Sequence, residues 1–220
     1  CEDGFVVFED VLYEDRVARL RNATDTILES YTDDQKAASG NQGSIVAMAF
    51  QDPVFQDLIA WPGSLAALQQ LGFHRPRYWS AFLISKEPGT PRTYWHQDWP
   101  FWEEDVSYEA LPHPLFLMFS LVDTSPDNGC LRVIPGSHLK RHPLHDMIAP
   151  RHTEETKTYS NPDNPAFSHV DDEIDVPLKA GDLVMGYGSL LHASHANQSN
   201  ERRTVLTMWY YPDFVDLPER

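Results

Sequence analysis

A helical N-terminal third followed by an antiparallel β sandwich or barrel is what the apolar pattern of this chain implies. Three observations support that reading. From Arg77 onward the apolar residues come in short runs, turn signals separate the runs, and the segment ahead of them carries a helical rather than an alternating repeat.

In chain order, Tyr13 to Tyr31 places Val17, Leu20, Ile27 and Leu28 on one helical stripe, with Glu14 and Asp15 at the end where a helix dipole favours negative charge. Residues 32–44 are small and polar and read as a loop. Pro53 to Leu71 reads as short helical pieces interrupted at Pro62-Gly63. The runs that follow are Tyr78 to Ile84, Leu115 to Val122, Leu131 to Ile134, Ile174 to Leu178, Leu183 to Tyr187 and Thr204 to Tyr211. Pro88-Gly89, Asp127-Asn128-Gly129, Pro135-Gly136-Ser137 and Gly181-Asp182 punctuate them. Residues 138–172 are rich in proline, histidine and charge, too polar for a core strand and too long for a turn. They read as a surface insert or lid, with 99–113 as a second lid segment. The chain is thus expected to form a single domain over 1–220, with 1–76 a helical buttress and 77–211 the β core.

Composition narrows the function. At 220 residues the chain is long enough for one sizeable core. Lysine and arginine number 17 against 33 aspartates and glutamates, a net charge of −16, which argues against nucleic acid or an anionic membrane as a partner. Hydrophobic residues at 41% and charged residues at 23% describe a globular protein rather than a disordered one. No apolar run reaches the ~18 residues of a membrane span. The two cysteines, Cys1 and Cys130, are too few and too far apart for a cysteine zinc site or a disulfide scaffold. The ten histidines are the more informative count.

The sharpest local feature is Tyr94-Trp95-His96-Gln97-Asp98-Trp99. On a strand, residues i and i+2 project to one face, so His96 and Asp98 can address one metal ion. A lone H-x-D also fits a capped turn, and a metal site needs a third ligand. His192 supplies one, at the end of the strand 183–187 and its extension, and His195 is a rival in the same loop. Two histidines and one carboxylate suit Fe(II) and leave three positions open, enough for a bidentate cosubstrate and dioxygen. Arg203 follows His192 by eleven residues, and a guanidinium grips a carboxylate through paired hydrogen bonds. The remote carboxylate of 2-oxoglutarate is its natural partner. Ser194 can add a hydroxyl, and Arg202 replaces Arg203 if the strand register slips by one.

At these residues the sequence resembles the phytanoyl-CoA dioxygenase (PhyH-like) branch of Fe(II)/2-oxoglutarate-dependent oxygenases. The resemblance spans about residues 78–211. It rests on Tyr94 to Asp98, on Asn128-Gly129-Cys130-Leu131-Arg132-Val133-Ile134-Pro135-Gly136-Ser137-His138, on Gly181-Asp182, and on His192-Ala193-Ser194 followed by Asn197, Ser199 and Arg203. It implies a mainly β, cupin-like double-stranded β-helix (jelly roll) with flanking N-terminal α-helices. His96, Asp98 and His192 would hold Fe(II), while Arg203, Ser194 and, on the preceding strand, Ser85 would approach 2-oxoglutarate. The cosubstrates would be 2-oxoglutarate and dioxygen, and the reaction the oxidation, by hydroxylation first of all, of an unactivated carbon. Asp98 stands where halogenating relatives have a small residue, which argues against halogenation.

Trp102 falls where a member of this family carries a tryptophan near its substrate, and Trp99 and Phe101 add aromatic surface, so all three are expected to wall the substrate pocket. Arg132 and His138 are further candidates for substrate contact. His138, His142 and His145 otherwise read as a solvated loop, and Asp171-Asp172-Glu173 as a solvated strand entry. Glu103-Glu104-Asp105 could attract a cationic substrate, so a small cationic or neutral molecule is preferred to a polyanionic coenzyme A thioester. A metal-dependent hydrolase would use the same histidines without needing Arg203, and a non-catalytic jelly-roll binding protein would not need the triad. A monomer or weak homo-oligomer in the cytoplasm, where reduced iron and 2-oxoglutarate are available, completes the expectation.

Overall fold

The computed structural model describes residues 2–32, 34–35, 39–99, 101–108, 114–149 and 152–211. Cys1 lies outside the described residues, as do positions 100 and 109–113 of the second lid segment and 150–151 of the insert. Its strands are β1 (Phe5–Phe8), β2 (Ser44–Ala47), β3 (Arg77–Lys86), β4 (Thr93–His96), β5 (Leu115–Ser120), β6 (Leu131–Val133), β7 (Ile174–Val176), β8 (Leu183–Tyr187), β9 (His192–Ser194) and β10 (Arg203–Tyr211). The helices are α1 (Glu14–Ser30), α2 (Pro53–Ile59), α3 (Pro62–Gln70) and α4 (Glu154–Thr158).

The strands form two sheets, one in the order β1-β8-β5-β10-β3-β2 and one in the order β4-β9-β6-β7, with every pairing antiparallel. This is the jelly roll. Alternation along the large sheet divides its side chains cleanly. Ala81, Leu83, Leu117, Phe119, Leu206 and Met208 face α1–α3 and bury Leu20, Leu28, Phe55, Leu58 and Leu68. Each such fully buried side chain contributes roughly 1.5–3 kcal/mol. The opposite face turns Phe116 and Val184 toward Leu131, Val133, Val176 and Leu178 of the small sheet and its flanks.

The helices start where local chemistry allows. Asp52 caps α2 by accepting from the Val54 N–H at 2.8 Å, and Pro53 and Pro62 stand at the first positions of α2 and α3, where a missing N–H costs nothing. The break expected at Pro62-Gly63 is the junction between them. Among the described residues, no helix is long and apolar enough to cross a membrane.

Three expectations change. The first 76 residues are not helical alone, because β1 pairs with β8 and β2 with β3, adding two strands to the large sheet. Four-residue strands carry too little pattern to stand out against polar neighbours. His192 does not extend the 183–187 strand but starts β9 in the other sheet, after a turn in which the Leu190 N–H bonds the Tyr187 carbonyl. His138, His142 and His145 do not form a solvated loop. His138 is buried and stacked on Tyr187 at 5.0 Å, and His145 is buried against Trp102 at 5.1 Å. His142 caps the turn at Pro143–Asp146.

Candidate metal and carboxylate site

Antiparallel pairing of β4 with β9 makes His96 and His192 direct cross-strand partners, with ring centroids 4.2 Å apart. Two residues beyond His96, the chain has left the strand and Asp98 Oδ1 lies 4.0 Å from His192 Nε2. One donor atom from each of the three residues falls within 4.8 Å of the others. The rings are also held in the correct tautomer. His96 Nδ1 bonds the Tyr94 carbonyl and His192 Nδ1 the Leu190 carbonyl, both at 2.9 Å, so each Nδ1–H donates and each Nε2 keeps its lone pair. Burial first, and then the neighbouring His192 and His152, hold the His96 pKa well below its ordinary value, keeping the ring neutral as a metal ligand must be. Trp209 Nε1 donates to Asp98 Oδ2 at 2.6 Å. The donor set, its burial and its tautomers fit a divalent ion of the Fe(II) type.

A cavity of about 530 Å3 extends from this triad between the sheets. Arg203 lines it and is 4% exposed. Burial pushes its pKa down to about 10, which leaves it charged at neutral pH, and no aspartate or glutamate among the described residues pairs with it. Its buried Nε has no hydrogen-bond partner. A buried, unpaired guanidinium is costly unless an anion meets it, so this end of the cavity can receive an anion such as a carboxylate. Ser194, on β9 of the facing sheet, also lines the cavity and donates to Thr93 Oγ1 at 2.9 Å. Gly129 makes room for the clamp. Its φ is +95°, and a Cβ there would lie 3.0 Å from the His195 carbonyl oxygen and 3.6 Å from Arg203 Nε.

The rest of the wall is mainly apolar, with Phe82, Ile84, Met118, Leu131 and Val205, and Trp79 and Ile45 on its exposed side. The insert reaches it through His152 and Lys157. His152 Nδ1 bonds the Tyr94 hydroxyl at 2.6 Å, and α4 docks on the turn at Gly40–Gln42 through the Gln42 amide, which donates to the Thr156 carbonyl at 3.3 Å.

Several expected contacts fall elsewhere. Ser85 is buried on the helix side of β3, bonded to Thr204 Oγ1 at 3.1 Å, because Ser80, Phe82 and Ile84 take the cavity face and the period of two sends Ser85 away. Arg202 likewise faces outward, pairing with Asp25 and Glu87 and leaving Arg203 as the inward guanidinium. Arg132 does not line the cavity; it is buried with Glu173 at 3.0 Å and lies over the Trp95 ring at 4.8 Å. Glu173 is therefore buried rather than a solvated strand entry. Trp99, Phe101 and Trp102 are not among the described cavity-lining residues. The chain turns away after Asp98, so Trp99 packs on Phe101 at 5.0 Å and bonds Ser107, while Trp102 packs on His145. Glu103 pairs with Arg141 at 3.3 Å instead of facing the cavity. His195 is no rival to His192. It bonds Asp175 at 2.6 Å, next to the Cys130 thiol, which burial pushes up to about 12.

Trp209 and Thr207 line the cavity although the sequence did not single them out. The signal was present: counting by two from Arg203 along a strand reaches both. His152 had no such marker, since its place depends on the path of the insert.

A family model described as Phytanoyl-CoA dioxygenase (PhyH) matches residues 1–205. Phytanoyl-CoA dioxygenase 1 of Oryza sativa subsp. japonica is 30% identical over 161 residues, covering 71% of this chain and 52% of its own. An ectoine dioxygenase of Sphingopyxis alaskensis is 30% identical over 146 residues, covering 62% of this chain and 46% of its own. This chain thus spans about half the length of the curated relatives it matches. Among solved structures, the non-heme alpha ketoglutarate dependent carbocyclase SnoK from nogalamycin biosynthesis superposes with a TM-score of 0.70 at 26% identity, over 96% of this chain and 80% of that one.

Proposed function

Because the chain belongs to the phytanoyl-CoA dioxygenase family, we propose that it is an Fe(II)- and 2-oxoglutarate-dependent dioxygenase that hydroxylates an unactivated carbon of a small molecule. The observation that carries the reading is the His96, Asp98, His192 cluster, half-buried to buried, sharing one cavity with an anion-seeking Arg203. The alpha ketoglutarate dependence of the structurally similar carbocyclase SnoK supports the cosubstrate.

His96, Asp98 and His192 would hold the iron, and Arg203 the remote carboxylate of 2-oxoglutarate, with Ser194 lining the same cavity from the facing sheet. Together, the bound pair supplies oxidative chemistry in which one atom of dioxygen enters succinate as carbon dioxide leaves, and the other enters a substrate C–H bond as hydroxyl. The protein's part is to orient. Carbonyl-bonded Nδ1 atoms present the imidazole lone pairs, and the apolar wall keeps water from the reacting carbon. Asp98 is the single carboxylate among the described lining residues, and Trp209 engages it. A neutral, largely apolar substrate therefore fits better than the cationic one that Glu103-Glu104-Asp105 suggested. We assign the activity to the cytoplasm, in a monomer or weak homo-oligomer.

Anaerobic titration with Fe(II) and then 2-oxoglutarate tests this without a substrate. The expected result is a weak visible metal-to-ligand charge-transfer band that needs both additions and is lost in His192→Ala. Absence of the band in the parent chain overturns the reading. Hydrolysis driven by Zn(II) without 2-oxoglutarate would favour the metal-hydrolase alternative, and no metal binding at all a binding protein.

A further inference from the structure

We propose that Trp209 is a positioning residue for the metal centre, holding Asp98 so that one carboxylate oxygen, and not both, is offered to the ion. The proposal rests on the reading that His96, Asp98 and His192 share one divalent cation. A carboxylate beside such an ion binds through one oxygen or through two. Here the two oxygens are already divided. Oδ2 accepts the Trp209 Nε1–H at 2.6 Å, while Oδ1 is the atom 4.0 Å from His192 Nε2. The donor is neutral and the acceptor ionised, which makes this one of the stronger classes of hydrogen bond.

The bond spans the sandwich. Both histidines belong to the small sheet, whereas Trp209 comes from β10 of the large one. Two features aim it. The register between β10 and β3 shifts at Trp209/Tyr210, the kind of irregularity that re-aims a side chain beside a site. Phe82 meets the indole edge-on, with centroids 5.8 Å apart and planes at 76°, which limits its rotation. Three single-atom protein ligands leave three positions on a six-coordinate ion, the number that a bidentate cosubstrate and dioxygen require. A carboxylate bound through both oxygens would occupy one of them.

The test is anaerobic Co(II) binding to the full chain, read from its ligand-field absorption. Trp209→Phe, which keeps a ring but removes the N–H, is expected to weaken Co(II) binding roughly 10–100-fold and to change the ligand-field spectrum. In an Asp98→Ala background, where two histidines remain, the same substitution should cause no further loss, because its effect passes through the carboxylate. Trp209→His, which keeps a ring N–H, should bind more tightly than Trp209→Phe. Equal affinity in the parent chain and Trp209→Phe, an equal loss in the Asp98→Ala background, or no advantage of histidine over phenylalanine overturns the proposal. A parent chain that binds no Co(II), or binds it undiminished after His96→Ala, overturns the triad reading instead.

Discussion

Arg203 shows how a single side chain can be arranged for a ligand. Its neighbours on β10 alternate, so Val205, Thr207 and Trp209 share its cavity wall while Thr204 and Leu206 face the helices. Arg203→Lys keeps the charge but loses the planar fork, and is expected to weaken 2-oxoglutarate binding roughly 10–100-fold. Isothermal titration of the metal-loaded chain checks this, and an unchanged affinity would remove Arg203 from the clamp. Gly129→Ala tests the space beside it. A left-handed non-glycine residue costs about 1–3 kcal/mol, and a Cβ at that position presses on the His195 carbonyl. Lower thermal stability together with weaker 2-oxoglutarate binding is the expected pair of results.

Strands and insert segments show where local pattern met its limits. The long strands carried an alternating or continuous apolar signal and were readable. β9 has only His192, Ala193 and Ser194, and its assignment to the small sheet depends on pairing with β4 and β6. The insert is polar in sequence yet contributes buried Leu144, His145 and Phe167. Burial pushes the His145 pKa down to about 4, only partly offset by its bond to the His142 carbonyl. The folded ring therefore stays neutral between pH 6.5 and 4 while an unfolded one takes up a proton, so this contribution is intact above pH 6.5 and is lost as pH falls through that window. At pH 5 the linkage is worth about 2 kcal/mol. Replacing His145 with Gln should flatten the fall in thermal midpoint between pH 7 and pH 5, and an unchanged slope would locate the acid sensitivity elsewhere.

Across the molecule, two sheets carry different duties, one packed on helices and the other carrying the two histidines of the proposed metal site. Arg132 and Glu173 join β6 to the end of the insert in a buried pair beneath Trp95. Burial raises the Glu173 carboxyl, but the Val170 N–H and Arg132 hold it below the usual carboxylate range. Its stabilisation is therefore present above the ordinary carboxylate pKa and is lost on acidification. Glu173→Ala strands the guanidinium and should cost about 3–5 kcal/mol in urea unfolding. Ligands that bind only the folded chain should act oppositely. Co(II) at 100 times its dissociation constant is expected to add about 2.7 kcal/mol, seen as a raised thermal midpoint that disappears in His96→Ala.

The primary structure alone determined the helix stripe of α1, the long strands, the H-x-D pair and the arginine eleven residues after His192, because each is written in local spacing or in a recognisable run of residues. Only the tertiary structure decided which histidine meets His96, which of two adjacent arginines faces inward, and that Trp99, Phe101, Trp102 and Arg132 pack away from the described cavity wall. Those outcomes depend on strand register and on the path of long connections. A shift of one residue exchanges the two faces of a strand, and a polar insert folds according to contacts made far away in the chain.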